Sequence, residues 1–158
     1  MSKATETERR IPRITLRDGM DIKRSLTVPG RFEYLTTIAD FIALAGSDAG
    51  FDQDMIFHVQ MAVDEACSNV IEHAYQGQDK GDITLSCHCD GKDWIIAIID
   101  TGRPFDPDSI PAPNLDPCLD DIKTGGLGLY FMHQLMDEVE FSFDEEKGNR
   151  LCMVKRGV

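Results

Sequence analysis

Three polar side chains recur every fourth residue in the segment MAVDEACSNVIEHAY: Glu65, Asn69 and His73. Residues four apart lie on the same side of a helix, so the three form one column. Asn is a poor helix former, which suggests that its amide has another task. Its oxygen suits Mg²⁺ that also holds phosphate oxygens, and a carboxylate one turn earlier could accept a proton from a hydroxyl attacking that phosphate. Taken alone, such a column is more often a solvated helix face.

A second motif, DTGRPF (Asp100 to Phe105), directly follows the apolar run WIIAIID. A carboxylate at the end of a buried strand can accept hydrogen bonds from an exocyclic amine. Gly102 has no Cβ, so a flat ring could approach the backbone there. The alternative is an ordinary Asp-x-Gly turn.

A third motif, KTGGLGLYFM (Lys123 to Met132), places glycines before a predicted helix. Free N–H groups at a helix N-terminus, together with the helix dipole, favour an anion, and Lys123 adds positive charge. The segment fits neither the P-loop nor the Rossmann pattern. It predicts either a phosphate cradle or a flexible hinge.

The helices and strands that must position these motifs are predicted to form one α+β domain. Helical spacing of apolar residues indicates two helices, the first ended by Gly46 and the second capped by Asp52 or Asp54. Alternation and turn residues indicate strands, including a central one, 94–100, that we expect to be covered on both sides. The order is β-α-α-β-β-lid-α-β-β, a two-layer α/β sandwich with helices on one face of a mixed, mainly antiparallel sheet. The predicted segments are a strand through Leu26 and Val28, helices at 31–45 and from Asp52 to about Tyr75, strands 83–89 and 94–100, a lid at 101–125, a helix at 127–137, and a final hairpin around DEEKGN. We assign residues 21–158 to this domain and residues 1–20 to an arm that is disordered or adds a strand.

The composition limits the classes of partner that the chain can bind. The chain has 158 residues, 42% hydrophobic and 28% charged, with a net charge of -12 and a pI near 4.6. Binding of nucleic acid through phosphates needs clustered Lys and Arg, so it is excluded, whereas a basic protein partner is compatible. No apolar run reaches the roughly 18 residues of a membrane span. Five cysteines without an apolar leader predict reduced thiols in the cytoplasm. Cys87-His88-Cys89 has no second pair at zinc spacing, so we predict no metal there.

The motifs together resemble the three ATP-site boxes of the GHKL ATPase superfamily, whose fold is the Bergerat ATP-binding fold. Within it, the chain is most similar to the small bacterial anti-sigma-factor serine/threonine kinases. The resemblance extends over residues 26 to 156 and rests on the segments VDEACSNVIEHAY, DTGRPFDP, GGLGLYFMHQLMDEVEF and GNRLCMVKR.

The resemblance implies roles for individual residues. Glu65 would be the general base for a serine or threonine hydroxyl, Asn69 would hold Mg²⁺, and Asp100 would read the adenine amine above Gly102. The residues expected against the phosphates are His73, Lys123, Thr124, Gly125, Gly126, Leu127, Gly128 and Leu129. Two features depart from the family. The Thr that often supports the adenine-reading Asp is replaced by Asn149, which puts that contact in doubt. The lid is acidic, with only Arg103 and Lys123 as cations, which predicts modest or Mg²⁺-dependent nucleotide affinity.

The implied function is an ATP-binding anti-sigma regulatory factor that uses Mg²⁺–ATP to phosphorylate a STAS-type anti-sigma-factor antagonist. A sigma factor is the second expected partner, and a cytoplasmic homodimer is the expected form. The alternative is a related switch kinase, or an ATP-dependent protein-binding module, that binds no sigma factor. A histidine kinase fits poorly, because no dimerising helix with a phosphoacceptor His precedes the site. The outer face of the first helix is either a partner or dimer surface or simply solvated.

Overall fold

The computed structural model describes residues 13–17, 23–78, 80–104 and 126–157, with the backbone alone for 13–17 and 126–127. The predicted order of helices and strands is confirmed, with one strand added before it. The predicted lid, 101–125, lies outside the described residues from residue 105 onward. A 3₁₀ turn at Phe32–Tyr34 precedes the first helix. The strands and helices are β1 (Arg13–Arg17), β2 (Lys23–Pro29), α1 (Leu35–Asp48), α2 (Gln53–Asn69), β3 (Asp82–Asp90), β4 (Asp93–Asp100), α3 (Gly126–Leu135), β5 (Glu138–Asp144) and β6 (Gly148–Lys155).

The six strands form one sheet in the order β1-β2-β3-β4-β6-β5. Every neighbouring pair among these strands is antiparallel, so the expectation of a mixed sheet is wrong. β1 supplies the added strand considered for the arm, and it pairs with β2 from Arg13 opposite Thr27 to Arg17 opposite Lys23. Since β6 lies beside β4, the last hairpin extends the sheet on the side away from β1.

The helices cover one face of the sheet. Trp94, Ile96 and Ile98 alternate along β4 and are buried in the core against them. Ile95 and Ile99 face the other side and are only half-buried. Among the described elements no helix covers that side, so these elements do not support the prediction that β4 is covered on both faces. An apolar run alone does not distinguish shielding by a second layer from partial shielding by neighbouring strands.

α1 continues past the glycine that was predicted to end it. Gly46 is buried inside the helix, where an added Cβ would lie 2.7 Å from both Ile56 and Trp94. The glycine therefore allows α1 to approach α2 and β4 closely. Trp94 also stacks on Phe51, with ring centroids 4.9 Å apart.

α2 begins at a side-chain cap and ends in a π-helical segment. Asp52 caps the N-terminus, because its side chain accepts a hydrogen bond from the backbone N–H of Met55 at 2.8 Å, as predicted. At the other end the helix widens into a π-helical segment, Val70–Ala74, closed by the Tyr75 N–H donating to Val70 O at 2.9 Å. Asn69 is thus the last residue with α-helical pairing, and π turns are frequent at functional sites. No helix in the described ranges is long and apolar enough to cross a membrane.

Candidate functional site

A cavity of about 330 Å³ opens between the sheet and the helix layer, at the end of β4. Its helix side consists of α2, the π-helical segment and α3, which contribute Ala66, Asn69, Val70, His73, Ala74 and Met132. Its sheet side consists of two rows of paired residues across β4, β6 and β5. One row is Asp100, Asn149 and Phe143, and the other is Ile98, Leu151 and Phe141. The cavity is therefore mainly apolar, with a carboxylate and an amide side by side.

Asp100 is a buried carboxylate whose two oxygens differ in their surroundings. Oδ1 accepts hydrogen bonds from the Gly102 N–H at 2.9 Å and from Asn149 Nδ2 at 2.8 Å. Oδ2 receives no hydrogen bond from any described residue. Burial raises the pKa of Asp100, and the hydrogen bonds from Asn149 and Gly102 oppose that rise. The free oxygen of Asp100 can accept a hydrogen bond from a ligand in the cavity.

Asn149 provides the support for Asp100 that its sequence position put in doubt. Besides the bond to Asp100, its Nδ2 is 3.1 Å from Gly102 O and 3.4 Å from Arg103 O. One amide therefore links β6 to both the carboxylate and the loop that follows it. The sequence singled out Asn149 but put this contact in doubt, because the pairing of β6 with β4 is not visible in either segment alone.

Gly102 has a packing role that the sequence did not indicate. An added Cβ would lie 2.7 Å from the Cβ and from the carbonyl oxygen of Ala74, and the adjacent Arg103 N–H donates to that oxygen at 3.0 Å. The glycine thus packs the loop against the π-helical segment. It is not among the residues that line the cavity, and its approach to a flat ring stays a prediction.

Tyr75 fixes the segment that carries Asp100. Its side chain is buried, and its hydroxyl donates to Asp82 O at 2.6 Å and accepts from the Thr101 N–H at 3.0 Å. Added Cβ atoms at Gly30 and Gly81 would lie within 3 Å of this side chain, so both glycines leave room for it. Tyr75 therefore joins the end of the π-helical segment to β3 and to the residue after Asp100.

We expect Tyr75→Phe to lower the free energy of unfolding by about 1–3 kcal/mol, because two part-buried hydrogen bonds are lost, one to Asp82 O and one from the Thr101 N–H. The matched control is Tyr34→Phe, since the Tyr34 hydroxyl makes no hydrogen bond with a described residue. Guanidinium unfolding of both variants measures the difference. Equal midpoints for Tyr75→Phe and the wild type would show that the hydroxyl network contributes nothing.

Glu65 and Asn69 meet the first turn of α3. A Cβ added at Gly128 would lie 2.6 Å from Glu65 Oε2 and 3.8 Å from Asn69 Nδ2. Glycine at this position therefore lets the N-terminal turn of α3, with its free N–H groups, approach both side chains. The structure thus brings the first motif next to the described part of the third motif. Asn69 also lines the cavity, which connects this junction to Asp100.

The remaining predicted residues divide into three groups. His73 lines the cavity with an exposed side chain, 3.9 Å from a Glu72 carboxylate oxygen. Gly126 and Leu127 begin α3, and Leu129 lies in it, partly buried. Three predicted residues lie outside the described part of the chain: Lys123, Thr124 and Gly125.

Two arginines line the cavity without having been assigned to it from the sequence. Arg103 follows Gly102, and Arg150 follows Asn149; both side chains are exposed. They bring positive charge to a site for which the sequence predicts an acidic lid. The signal available in the sequence was their position next to the two residues that hold Asp100.

Metal ligands are sparse in the described residues. No group of three or more His, Cys, Asp or Glu side chains in these ranges is placed to hold a metal ion. Asn69 lies beside Glu65 at the cavity, so a cation there would need oxygen ligands from a bound phosphate as well. That requirement agrees with the sequence prediction for Asn69, which stays a prediction.

Comparison with known proteins gives the chain relatives over most of its length. The family model described as "Histidine kinase-like ATPase domain" matches residues 28–155. A "Serine-protein kinase RsbW" of Halalkalibacterium halodurans is 34% identical over 135 residues, covering 82% of this chain and 80% of that protein. The protein of the same name in Listeria innocua is 30% identical over 130 residues, covering 80% of this chain and 83% of that protein.

A solved structure agrees with the fold. The RsbU and RsbW domains of a Mycobacterium tuberculosis protein match with a TM-score of 0.59 and 18% identity, covering 84% of this chain and 32% of that chain. At this identity the likeness concerns the fold alone. The family model and the curated relatives carry the assignment: the chain belongs to the histidine kinase-like ATPase domain family and, within it, to the group of proteins named serine-protein kinase RsbW.

Proposed function

We propose that this protein is an ATP-dependent serine/threonine protein kinase that phosphorylates an anti-sigma-factor antagonist of the STAS type. The observation that carries the proposal is the junction at Gly128. There the turn that begins α3 meets a carboxylate, Glu65, and an amide, Asn69, at the edge of the cavity whose sheet side contains Asp100. The names of the relatives support the reaction class.

The residues of the cavity fit a purine nucleotide. Ile98, Leu151 and Met132 provide apolar surface for a flat ring. Asp100 Oδ2 is an acceptor for the exocyclic amine of adenine, while Oδ1 is held by Gly102 and Asn149. An apolar pocket with one oriented polar group is typical of ligand sites.

The phosphate end is assigned to the α3 turn and Asn69. The backbone N–H groups that open α3 can bind phosphate oxygens, because they have no intrahelical partners and lie at the positive end of the helix dipole. Asn69 would hold Mg²⁺ through its side-chain oxygen, and the metal would neutralise phosphate charge. Glu65, one turn before Asn69, would accept the proton of the attacking hydroxyl. His73, Lys123, Thr124 and Gly125 are proposed to complete the phosphate contacts.

We propose that a sigma factor is bound in competition with the antagonist, and that the protein acts as a homodimer in the cytoplasm.

The test is a phosphotransfer assay with the purified chain, Mg²⁺ and γ-labelled ATP, using a STAS-type antagonist protein from the same genome as acceptor. Label should appear on a serine or threonine of the acceptor, and chelation of Mg²⁺ should abolish the transfer. If ATP binds but no label is transferred, the protein is an ATP-dependent binding module and the kinase proposal is wrong.

A further inference from the structure

The outer surface of α1 and α2 is strongly acidic. From Phe32 to Gln78 the chain has eight Asp or Glu residues and no Lys or Arg. The eight are Glu33, Asp40, Asp48, Asp52, Asp54, Asp64, Glu65 and Glu72. A third of the chain thus contributes much of the net charge of -12.

Several of these carboxylates already have a partner. Asp48 pairs with Arg24 and Glu33 with Arg31, while Asp52 caps α2. Asp40, Asp54 and Asp64 form no ion pair with a described residue, and all three are exposed. The free carboxylates therefore lie along the solvent side of the two helices.

Large apolar side chains lie between these carboxylates. Phe57 is 58% exposed, Met61 42% and Leu44 56%. On α2, Asp54, Phe57, Met61 and Asp64 follow one another at spacings of three and four, so they form one stripe opposite the buried side of the helix. Clusters of large apolar side chains with this much exposed surface are unusual, and they mark interaction sites.

The exposed apolar side chains of the two helices lie toward the same end of the helix pair. Gln60 Nε2 donates to Ala39 O at 3.0 Å, and a short link joins the helices as neighbours running in opposite directions. Leu44 and Phe57 both lie from that bond toward the link, so they fall at the same end of the pair. We call the surface formed by Asp40, Leu44, Asp54, Phe57, Met61 and Asp64 the acidic–apolar face.

One edge of the acidic–apolar face lies next to Glu65, the proposed catalytic base. Met61 is one helical turn before Glu65, so a protein that covers Met61 has part of its surface next to the Glu65 carboxylate. A second copy of this chain would bring the same unpaired carboxylates against each other, which charge repulsion disfavours. A partner with basic and apolar side chains complements both the charges and the exposed Phe, Met and Leu.

We infer that the acidic–apolar face is the docking surface for the protein that receives phosphate, and that this protein docks through a basic, apolar surface with its hydroxyl near Glu65. The inference rests on the proposed function, because Glu65 gives the docked hydroxyl its role. Docking on the helices leaves the nucleotide cavity open on the other side of α2.

The probes are two fluorescein-labelled helical peptides that share one serine and the same leucines at helical spacing. One has lysines at the remaining positions and the other has glutamates. Fluorescence anisotropy with the full chain should show binding of the lysine peptide, weakened by added salt, and no binding of the glutamate peptide. Equal affinity for the two peptides, or binding of neither, would overturn the inference.

Variants locate the binding. Phe57→Ser combined with Met61→Ser should weaken binding of the lysine peptide by about tenfold or more, because the apolar anchors are lost. The pair Asp40→Lys and Asp54→Lys should weaken it similarly. If Phe57→Ser instead removes a concentration-dependent dimer seen by sedimentation, a second copy occupies the face and the inference is wrong.

The matched control has the same change in net charge elsewhere. Glu145→Lys combined with Glu146→Lys reverses two exposed carboxylates in the turn between β5 and β6, and it should leave the peptide affinity within about twofold. An equal loss in this control would show that net charge alone drives binding and would overturn the inference. Calorimetry of Mg²⁺–ATP with each variant separates the two claims. Intact ATP binding without peptide binding removes only the docking face, whereas absent ATP binding in the wild type removes the proposed function.

Discussion

Glu65→Ala is expected to bind Mg²⁺–ATP with wild-type affinity and to transfer its γ-phosphate about 10²–10⁴ times more slowly. The carboxylate is proposed to accept the proton of the attacking hydroxyl, and a methyl group cannot do so. ATP affinity should survive because Glu65 does not line the cavity and is absent from the contacts of Asp100. Single-turnover phosphorylation of the acceptor protein, with ATP affinity measured separately by calorimetry, gives both quantities.

The neighbouring carboxylate is the matched control. Asp64 precedes Glu65 on α2 but points about 100° away around the helix, toward solvent. Asp64→Ala should leave kcat close to wild type. The comparison uses kcat because Asp64 belongs to the acidic–apolar face, and weaker docking of the acceptor protein would change KM. Wild-type transfer by Glu65→Ala, or an equal loss in Asp64→Ala, would remove Glu65 from the role of base.

Local signals in the sequence were enough to find the elements of the site. The cap at Asp52 and the period of apolar residues in α2 each concern residues close together in the chain, and the structure agrees with both. The column of Glu65 and Asn69 also follows from helix geometry alone. Its approach to α3 was not predicted, because it depends on how two helices pack; the sequence indicated only that the glycines before α3 form a phosphate cradle or a hinge.

Contacts between distant segments could not be predicted in this way. Gly46 was predicted to end α1 because glycine commonly follows a helix. Its packing against Trp94 links residues that are far apart in sequence, so local spacing could not show it. The bond from Asn149 to Asp100 depends on the register of β6 against β4, and the family pattern pointed only to the missing Thr. The amide of Asn149, like a Thr hydroxyl, is a hydrogen-bond donor, and it donates to the Asp100 carboxylate. Non-local register is what sequence spacing leaves undetermined.

Asp100→Asn is expected to keep or raise the stability of the nucleotide-free protein at neutral pH. Burial raises the pKa of Asp100 in the folded state above its ordinary value of 3.8. As the pH rises, the unfolded chain therefore loses this proton before the folded protein does. Stability of the wild type therefore falls as pH rises through the raised pKa, and the ionised carboxylate remains a cost above it. The amide has no such titration, and its oxygen still accepts from Gly102 and Asn149. Thermal unfolding of both proteins from acid to neutral pH measures the difference, and a variant less stable at pH 7 would contradict the sign.

The same substitution should lower ATP affinity by about 10- to 100-fold, because an acceptor that faces the adenine amine becomes a donor. Inosine triphosphate carries a carbonyl oxygen where adenine carries the amine, so Asp100→Asn should lose much less affinity for it and prefer it relative to the wild type. Asn149→Thr is the matched control, since a hydroxyl can still donate to Asp100 Oδ1 and leaves Oδ2 as the acceptor. Calorimetry with both nucleotides decides the matter: an unchanged ratio of ATP to inosine triphosphate affinity in Asp100→Asn would show that Asp100 does not read the base. A preserved ratio in Asn149→Thr would show that the amide orients this carboxylate and does not itself select the purine.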